Sequence, residues 1–221
     1  MNRFSKYLIA ICLLSLSLPL AHAQGVDIAL GFGSIQDKAT ATGLDTNTFL
    51  SCSPVDNFTC FKTSSLNSFV MGFGGQVMLT KNFGAGVDIT FQPAKQTYAA
   101  LDNVGDSLQT RLSLYDFKAV YQPISTKRVA LQFSGGIGVA NLKSYVNSTS
   151  SSLFGTSNSN TAFASDNHFQ VHGGVGVPIY VTNSVFIRPQ FTIHRVNNFA
   201  QYNSDVVTQE MVWIGYTFGG R

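Results

Sequence analysis

The sequence predicts an all-β protein: an eight-stranded antiparallel transmembrane β-barrel, arranged as an up-and-down meander and preceded by a cleaved signal peptide. Three observations lead to this prediction. Residues 1–23 have the form of an export signal, charged residues make up only 11% of the chain, and eight later segments alternate large apolar residues with small or polar ones. Strict alternation is typical of a strand whose two faces meet different surroundings.

The export signal has three parts in the usual order. A basic start within residues 2–6 precedes an apolar run over 7–20, and Ala21-His22-Ala23 supplies small residues at the cleavage site. The apolar run is shorter than the about 20 residues that a spanning helix requires. We therefore expect cleavage after Ala23, which leaves residues 24–221 as one barrel domain.

The composition argues against an ordinary water-soluble domain, in which about 25% of residues are charged. After residue 23 no apolar run is long enough for a transmembrane helix. Low charge, 12% aromatic residues and dispersed apolar positions together fit a membrane barrel. The net charge of +3 is small and unclustered, so nucleic acid is not an expected partner.

The eight alternating segments are as long as strands that cross a bilayer at a tilt. In the third segment, for example, Val87 and Ile89 share one face while Asp88 lies on the other. The fourth segment breaks parity at Leu112 and Leu114, which indicates either a β-bulge or leucines turned inward near the rim. The predicted segments are 26–35, 68–80, 83–93, 110–122, 129–142, 167–179, 185–195 and 207–219.

The connecting segments alternate between short and long, as in barrels with short periplasmic turns and long extracellular loops. A soluble sandwich or lipocalin-like barrel, the alternative fold, requires neither this asymmetry nor strands of bilayer length. The Ser/Asn/Thr-rich tract within the third long connection is expected to be a mobile loop. The predicted turns are 80–82, 123–128 and 182–184, and the predicted loops are 36–67, 94–109, 144–166 and 196–206.

Aromatic residues near the strand ends are candidates for girdles at the two membrane interfaces, although ordinary strand composition explains each one equally well. The candidates are Phe83, Tyr98, Tyr121, Tyr180, Phe199, Tyr202, Tyr216 and Phe218.

Three stretches carry a family resemblance: "GVDIALGFGSI" at the first strand, "NFGAG" at residues 82–86, and the closing "VWIGYTF". With these stretches the chain resembles the small outer-membrane β-barrel family that includes the OmpA transmembrane domain and the OmpX- and OmpW-like proteins. The resemblance implies a location in the bacterial outer membrane. It also implies contact with outer-membrane lipid and lipopolysaccharide, and recognition of the closing strand by the barrel-assembly machinery.

Cys52 and Cys60 lie in one polar segment of an exported chain, so they are expected to form a disulfide. Metal binding by the two thiolates alone is a weaker interpretation, because no histidine or further cysteine lies nearby.

Polar residues on the inward face are expected to pair with one another and fill a narrow lumen. The alternative is a gate or a narrow ion path. We expect no metal or cofactor site, since two of the histidines, His168 and His172, are too far apart along one strand to chelate an ion. The inward polar residues are Asp27, Asp88, Asp116, Lys118, Arg188, His168, His172 and His194.

For an enzymatic function, the relevant pattern is that of the lipid A deacylases of the PagL type, which carry a His-x-Ser-Asn motif. The corresponding stretch here is His194-Arg195-Val196-Asn197, in which Val196 has no hydroxyl to act as the nucleophile. No catalytic residue is therefore predicted. The preferred function is a structural or surface-interaction protein whose loops meet host or neighbouring-cell molecules. A narrow pore for small solutes is the alternative, and a lipid-modifying barrel is third.

Overall fold

The structure of the protein, a computed structural model, describes residues 25–37, 66–100, 107–152, 155–197 and 205–219. The predicted signal peptide and the pair Cys52 and Cys60 lie outside these residues. Within the described ranges, no helix combines the length and the apolar character needed to cross a membrane.

The described chain forms ten strands in one antiparallel sheet. Eight of them pair in a closed ring in the order β1-β2-β3-β5-β6-β7-β9-β10, so the predicted eight-stranded meander is confirmed. The short strand β4 pairs with β5, and β8 pairs with β9. The strands are β1 Gly25–Asp37, β2 Ser68–Met78, β3 Phe83–Phe91, β4 Gln96–Ala100, β5 Ser107–Ser125, β6 Ala130–Ser152, β7 Gly155–Gly176, β8 Ile179–Tyr180, β9 Val185–Val196 and β10 Val206–Phe218.

The ring closes where the first strand pairs with the last. The β1–β10 register runs without a shift from Val26 opposite Phe218 to Asp37 opposite Val207. All neighbouring strands in the ring are antiparallel, so successive connections alternate between the two ends of the barrel. Because the connections also alternate between short and long, the short turns share one end and the long connections share the other.

The alternation of the sequence appears as two opposite faces of the barrel wall. Large apolar side chains face outward around the ring, for example Phe73 at 57% and Phe117 at 62% exposure. In water each such side chain would forgo about 1.5–3 kcal/mol of burial free energy, whereas a membrane barrel requires this surface against lipid. The inward face carries glycines, polar side chains and a few large apolar ones.

The exposure of the side chains of β5 shows why the alternation breaks in the fourth predicted segment. Leu112 and Leu114 are each 1% exposed and lie on the same inward face as Asp116 and Lys118. The register between β5 and β6 is unbroken through the two leucines and shifts only beyond Tyr121. The leucines are therefore turned inward, and no bulge is present at this point.

The third long connection is not the loop that the sequence led us to expect. β6 and β7 instead continue as a hairpin that pairs as far as Ser152 opposite Gly155. The backbone N–H and C=O groups of a two-stranded ribbon pair with each other whatever the polarity of the side chains. The Ser/Asn/Thr content of this segment therefore did not reveal the strands. The predicted loop 94–109 is also partly strand, because β4 and the start of β5 lie within it.

Four of the candidate girdle residues face outward at the short-turn end. Phe83 stacks on Tyr121 with ring centroids 4.8 Å apart, and Tyr216 lies 4.8 Å from Phe218. The prediction was wrong for Tyr180, which is 6% exposed and packs against Phe186 inside the wall. The side chains of Tyr98, Phe199 and Tyr202 lie outside the described part of the structure.

Candidate functional site: the filled lumen and the outer rim

The lumen is built around Trp213, whose side chain is 1% exposed. Its indole lies against glycines of β1 and β2. A Cβ atom added at Gly31 would lie 2.7 Å from Cε3 of the indole, and one added at Gly74 would lie 3.1 Å from Cζ3. The glycine-rich inward faces of these strands therefore provide the space that the tryptophan fills.

A hydrogen-bond network crosses the lumen toward the short-turn end. The Asp27 carboxylate accepts hydrogen bonds of 2.6 Å from Gln76 Nε2 and from Thr217 Oγ1. Gln76 Oε1 in turn accepts from Gln132 Nε2 at 2.8 Å and from Arg188 Nη1 at 2.9 Å. Arg188 is 1% exposed, and its charge is thus linked to Asp27 through a glutamine.

A direct ion pair lies beside this network. The Lys118 ammonium on β5 contacts the Asp88 carboxylate on β3, and both side chains are almost fully buried. Gly86 of β3 lies opposite Lys118 in the register and leaves room for the lysine side chain. Removing either partner of such a pair is strongly destabilising, because it leaves a buried, uncompensated charge.

A second polar cluster lies one layer closer to the long connections. His172 Nδ1 is 3.2 Å and His194 Nδ1 is 3.9 Å from the same oxygen, Asp116 Oδ1. Gln170 Nε2 donates a 2.7 Å hydrogen bond to that oxygen. His194 Nε2 lies 3.4 Å from Gln209 Oε1. Within the described part of the chain, Asp116, His172 and His194, hereafter the lumen trio, form a group whose arrangement could hold a metal ion.

Above the polar clusters, apolar side chains close the lumen toward the long connections. Each of these side chains is at most 3% exposed, and they belong to one hydrophobic cluster. Gln92 satisfies backbone groups within this layer, since its Nε2 donates to Leu66 O and its Oε1 accepts from Leu112 N. The apolar plug consists of Ile35, Leu66, Val70, Leu112, Leu114, Ala140, Leu142, Val196 and Val207.

The structure thus brings most of the inward polar residues into two clusters, one around Asp27, Asp88, Lys118 and Arg188 and the other formed by the trio. It leaves His168 apart: this ring is partly exposed, and its Nδ1 lies 3.2 Å from Asn197 O. Sequence analysis did not name the four glutamines and two threonines that complete the clusters. Their signal was present, because each lies on the inward parity of its strand. The missed residues are Gln76, Gln132, Gln170, Gln209, Thr90 and Thr217.

A cleft lies on the outer wall where β3, β5 and β6 approach the end with long connections. Arg111 and Lys143 are direct cross-strand partners in the β5–β6 register, and both line the cleft. Neither cation forms an ion pair with any carboxylate of the described ranges. The lower part of the cleft is apolar and aromatic, with Ile89, Phe91 and Tyr115.

Comparison with known families agrees with this architecture. A family model for the outer membrane protein beta-barrel domain matches residues 8–218. The chain belongs to this family. The outer-membrane location expected from the sequence is thereby confirmed.

Solved outer-membrane barrels have the same fold. Ail of Yersinia pestis, in complex with the heparin analogue sucrose octasulfate, matches with 14% identity and a TM-score of 0.51, covering 89% of this chain and 99% of that chain. A major outer membrane protein from Thermus thermophilus matches with 9% identity and a TM-score of 0.52, covering 87% of this chain and 99% of that chain. Among curated proteins, no sequence matches this outer-membrane barrel.

Proposed function

We propose that the protein is a non-conducting outer-membrane barrel whose lumen is structural and whose rim and loops meet other surface molecules. The apolar plug carries this proposal. An ion passing the level of Leu112, Leu114 and Leu142 would lose its hydration, which is strongly unfavourable. The amide of Gln92 within this layer already bonds to backbone groups of Leu66 and Leu112. Below the plug, side-chain hydrogen bonds tie the polar clusters together across the lumen.

Planar-bilayer recording tests the lumen. Folded protein, checked by its faster migration on unheated gels, should insert without producing discrete current steps. Stable open-channel steps from the folded fraction would contradict the proposal and favour the narrow-pore alternative.

The outer cleft supports lipopolysaccharide as the lipid partner. Like charges directly opposite each other on neighbouring strands are destabilising, and Arg111 and Lys143 are in this arrangement on the outer wall. An anion relieves their repulsion, and a phosphate accepts bidentate hydrogen bonds from arginine. Below the two cations, the apolar wall with Ile89 and Tyr115 suits acyl chains. This order of cations above apolar surface matches a phosphorylated lipid A.

Thermal unfolding in detergent, with and without lipid A, tests the cleft. Lipid A should raise the unfolding midpoint of the wild type, and R111Q/K143Q should remove most of that rise. K127Q/R128Q is the matched control, because it removes two exposed cations at the opposite end of the barrel. Equal stabilisation of both double variants, or equal stabilisation by lipid A lacking its phosphates, would contradict the assignment.

The surface-interaction role is supported by the part of the β6–β7 hairpin that continues past its neighbours. The β5–β6 pairing ends at Asn147, whereas β6 and β7 pair for five residues more, a length of about 16 Å. Near the base of this extension, Lys95 lies over the Tyr145 ring and contacts Asn160. In the neighbour Ail, the same fold was crystallised with a polyanionic sugar analogue. We propose an anionic surface polysaccharide as the molecule met by this hairpin.

Adhesion of intact cells to a heparin-coated surface tests this role. Replacing residues 149–158 by a short Gly-Ser turn should reduce adhesion while the barrel still shows its heat-dependent gel shift. Unchanged adhesion in cells with the shortened hairpin would contradict the role given to it.

We also expect no lipid deacylase activity. Val196, at the position of the required nucleophile, is fully buried in the apolar plug, and His194 is fully buried in the trio. Release of acyl chains from lipopolysaccharide by the purified barrel would contradict this expectation.

A further inference from the structure

Two imidazoles and one carboxylate meet inside the barrel on three different strands. Asp116 comes from β5, His172 from β7 and His194 from β9, and their ligand atoms all lie within 4.8 Å of one another. Their side chains are 5%, 3% and 0% exposed, respectively. Gly138 on β6 separates Asp116 from Gln170 in the register, and an added Cβ there would lie 2.6 Å from Asp116 Oδ1. The glycine thus lets groups from β5 and β7 approach across β6.

The hydrogen bonds around His194 orient its free nitrogen toward Asp116. Gln209 Nε2 donates to Thr90 Oγ1 at 3.0 Å, so the amide oxygen of Gln209 faces His194 Nε2. That nitrogen therefore carries the proton of the neutral ring, and Nδ1 presents its lone pair toward Asp116 Oδ1. A lone pair facing a carboxylate oxygen in a buried site requires positive charge between them. A second-shell amide that fixes the tautomer is a regular feature of metal-bound histidines.

His172 adds a second nitrogen that points to the same oxygen. Neither of its ring nitrogens has a hydrogen-bond partner among the described residues, and the same holds for His194 Nδ1 and Gln170 Oε1. Buried polar atoms without partners are rare in native proteins and call for an explanation. One added proton on His194 Nδ1, with the proton that neutral His172 already carries placed on its Nδ1, would serve both contacts with Asp116 Oδ1 but would leave Gln170 Oε1 without a partner. A divalent cation would satisfy both nitrogens and the carboxylate together.

The chemistry of the donors identifies the class of ion. Nitrogen from histidine and oxygen from a carboxylate suit first-row transition metals such as zinc and ferrous iron. With bonds of about 2.1 Å, the ligand atoms of a tetrahedral site lie about 3.4 Å apart. The separations from Asp116 Oδ1 to the two Nδ1 atoms are 3.2 Å and 3.9 Å, and all ligand atoms of the trio lie within 4.8 Å, so side-chain rotation would have to bring them closer around an ion.

We propose that Asp116, His172 and His194 bind one divalent transition-metal ion in the barrel lumen. The ion cross-links β5, β7 and β9. The buried oxygen of Gln170 lies next to the trio and is a candidate fourth ligand. The apolar plug on one side and the Lys118–Asp88 and Arg188 layer on the other enclose the site, so the ion is loaded as the barrel folds. This proposal is independent of the surface role proposed above.

Refolding of untagged protein in the presence of zinc or cobalt, followed by removal of free metal, tests the site. Mass spectrometry should find about one ion per folded chain, because metal and fold form together in such a site. The cobalt form should show visible absorption bands of a nitrogen- and oxygen-ligated ion. The zinc-loaded barrel should unfold at a higher urea concentration than barrel refolded with a chelator.

Three variants make the result specific. H172Q and D116N should bind at least about tenfold less metal, and both retain a polar side chain so that folding can be checked by the gel shift. H168Q is the matched control, because it removes a histidine of the same strand outside the trio and should bind as the wild type does. A metal-free wild type after zinc refolding, or equal metal content in H172Q and H168Q, would overturn the proposal.

Discussion

Arg188 lies beside the indole of Trp213, with its guanidinium carbon 5.6 Å from the centroid of the ring. The same carbon is 5.7 Å from the centroid of Phe186. The charge is thus close to two aromatic rings while Nη1 reaches Gln76 and Gln132. This arrangement joins the aromatic and polar parts of the lumen into one packed unit.

Removing the guanidinium should therefore destabilise the barrel, because both its contacts with the aromatic rings and its hydrogen bonds to the glutamines are lost. R188M leaves Gln76 and Gln132 without a charged donor, and we expect a loss of about 3 kcal/mol in the free energy of unfolding. R188K keeps the charge but lacks the planar fork, so its loss should be intermediate. Urea unfolding followed by fluorescence is suitable, because Trp213 is the only tryptophan in the sequence. Equal stability of R188M and wild type would contradict this account of the network.

Gly31 should be intolerant of even one methyl group. Its added Cβ would meet Met211 Cε and Trp213 Cε3, each at 2.7 Å. Overpacking of this kind costs about 1–3 kcal/mol, so G31A should unfold at lower urea. G75A is the control, since a Cβ on this outward-facing glycine has Asp27 O at 3.8 Å as its nearest neighbour.

A second substitution tests whether the tryptophan is the cause. In a W213L background, the destabilisation caused by G31A should be smaller than in the wild type, measured by the midpoint of the gel shift during heating. Identical effects of G31A in both backgrounds would show that the indole is not what excludes the methyl group.

The Lys118–Asp88 pair should behave as a buried pair. K118M leaves the Asp88 carboxylate buried without its cation, and the expected loss is about 3–5 kcal/mol. The double variant D88L/K118M removes both charges and should recover most of that loss. A double-mutant cycle from urea unfolding measures the coupling. Additive effects of the two single changes would contradict direct pairing.

A charged residue introduced on the outward face should destabilise the barrel more the closer it lies to the middle of the membrane. Phe117 lies midway along β5 and is 62% exposed, whereas Ile124 lies near the short-turn end and is 57% exposed. F117R should cost about 2–4 kcal/mol in lipid vesicles and I124R about 0–1 kcal/mol. Similar values for the two variants would contradict the membrane position assigned to this strand.

Alternation predicted which face of each strand points inward, and it placed Asp27 and Asp88 on that face correctly. It did not predict which inward residues share a height, because that depends on the register between strands. The lumen trio illustrates the difference. His194 and His172 are opposite each other in the β7–β9 register, and Asp116 joins them only across Gly138. No single segment of sequence contains the three.

The length of β6 and β7 exceeded the prediction for a related reason. Periodicity detects a strand by the contrast between its faces, and from Asn147 to Ser152 every residue of β6 is Ser, Thr or Asn. The leucines of β5 show the opposite case. Leu112 and Leu114 are apolar residues on an inward face, so the contrast was lost although the strand continued without a shift.

The β1–β10 seam has a consequence for the order of assembly. Every other pair of neighbours in the ring is joined through a nearby stretch of chain, whereas the seam joins the two strands that are most distant in sequence. Contacts between distant segments are slow to form because the intervening chain must first be ordered. Until β10 arrives, the sheet has two open edges, which favour aggregation. The last strand also delivers Trp213, so sealing the cylinder and filling its centre are a single late event.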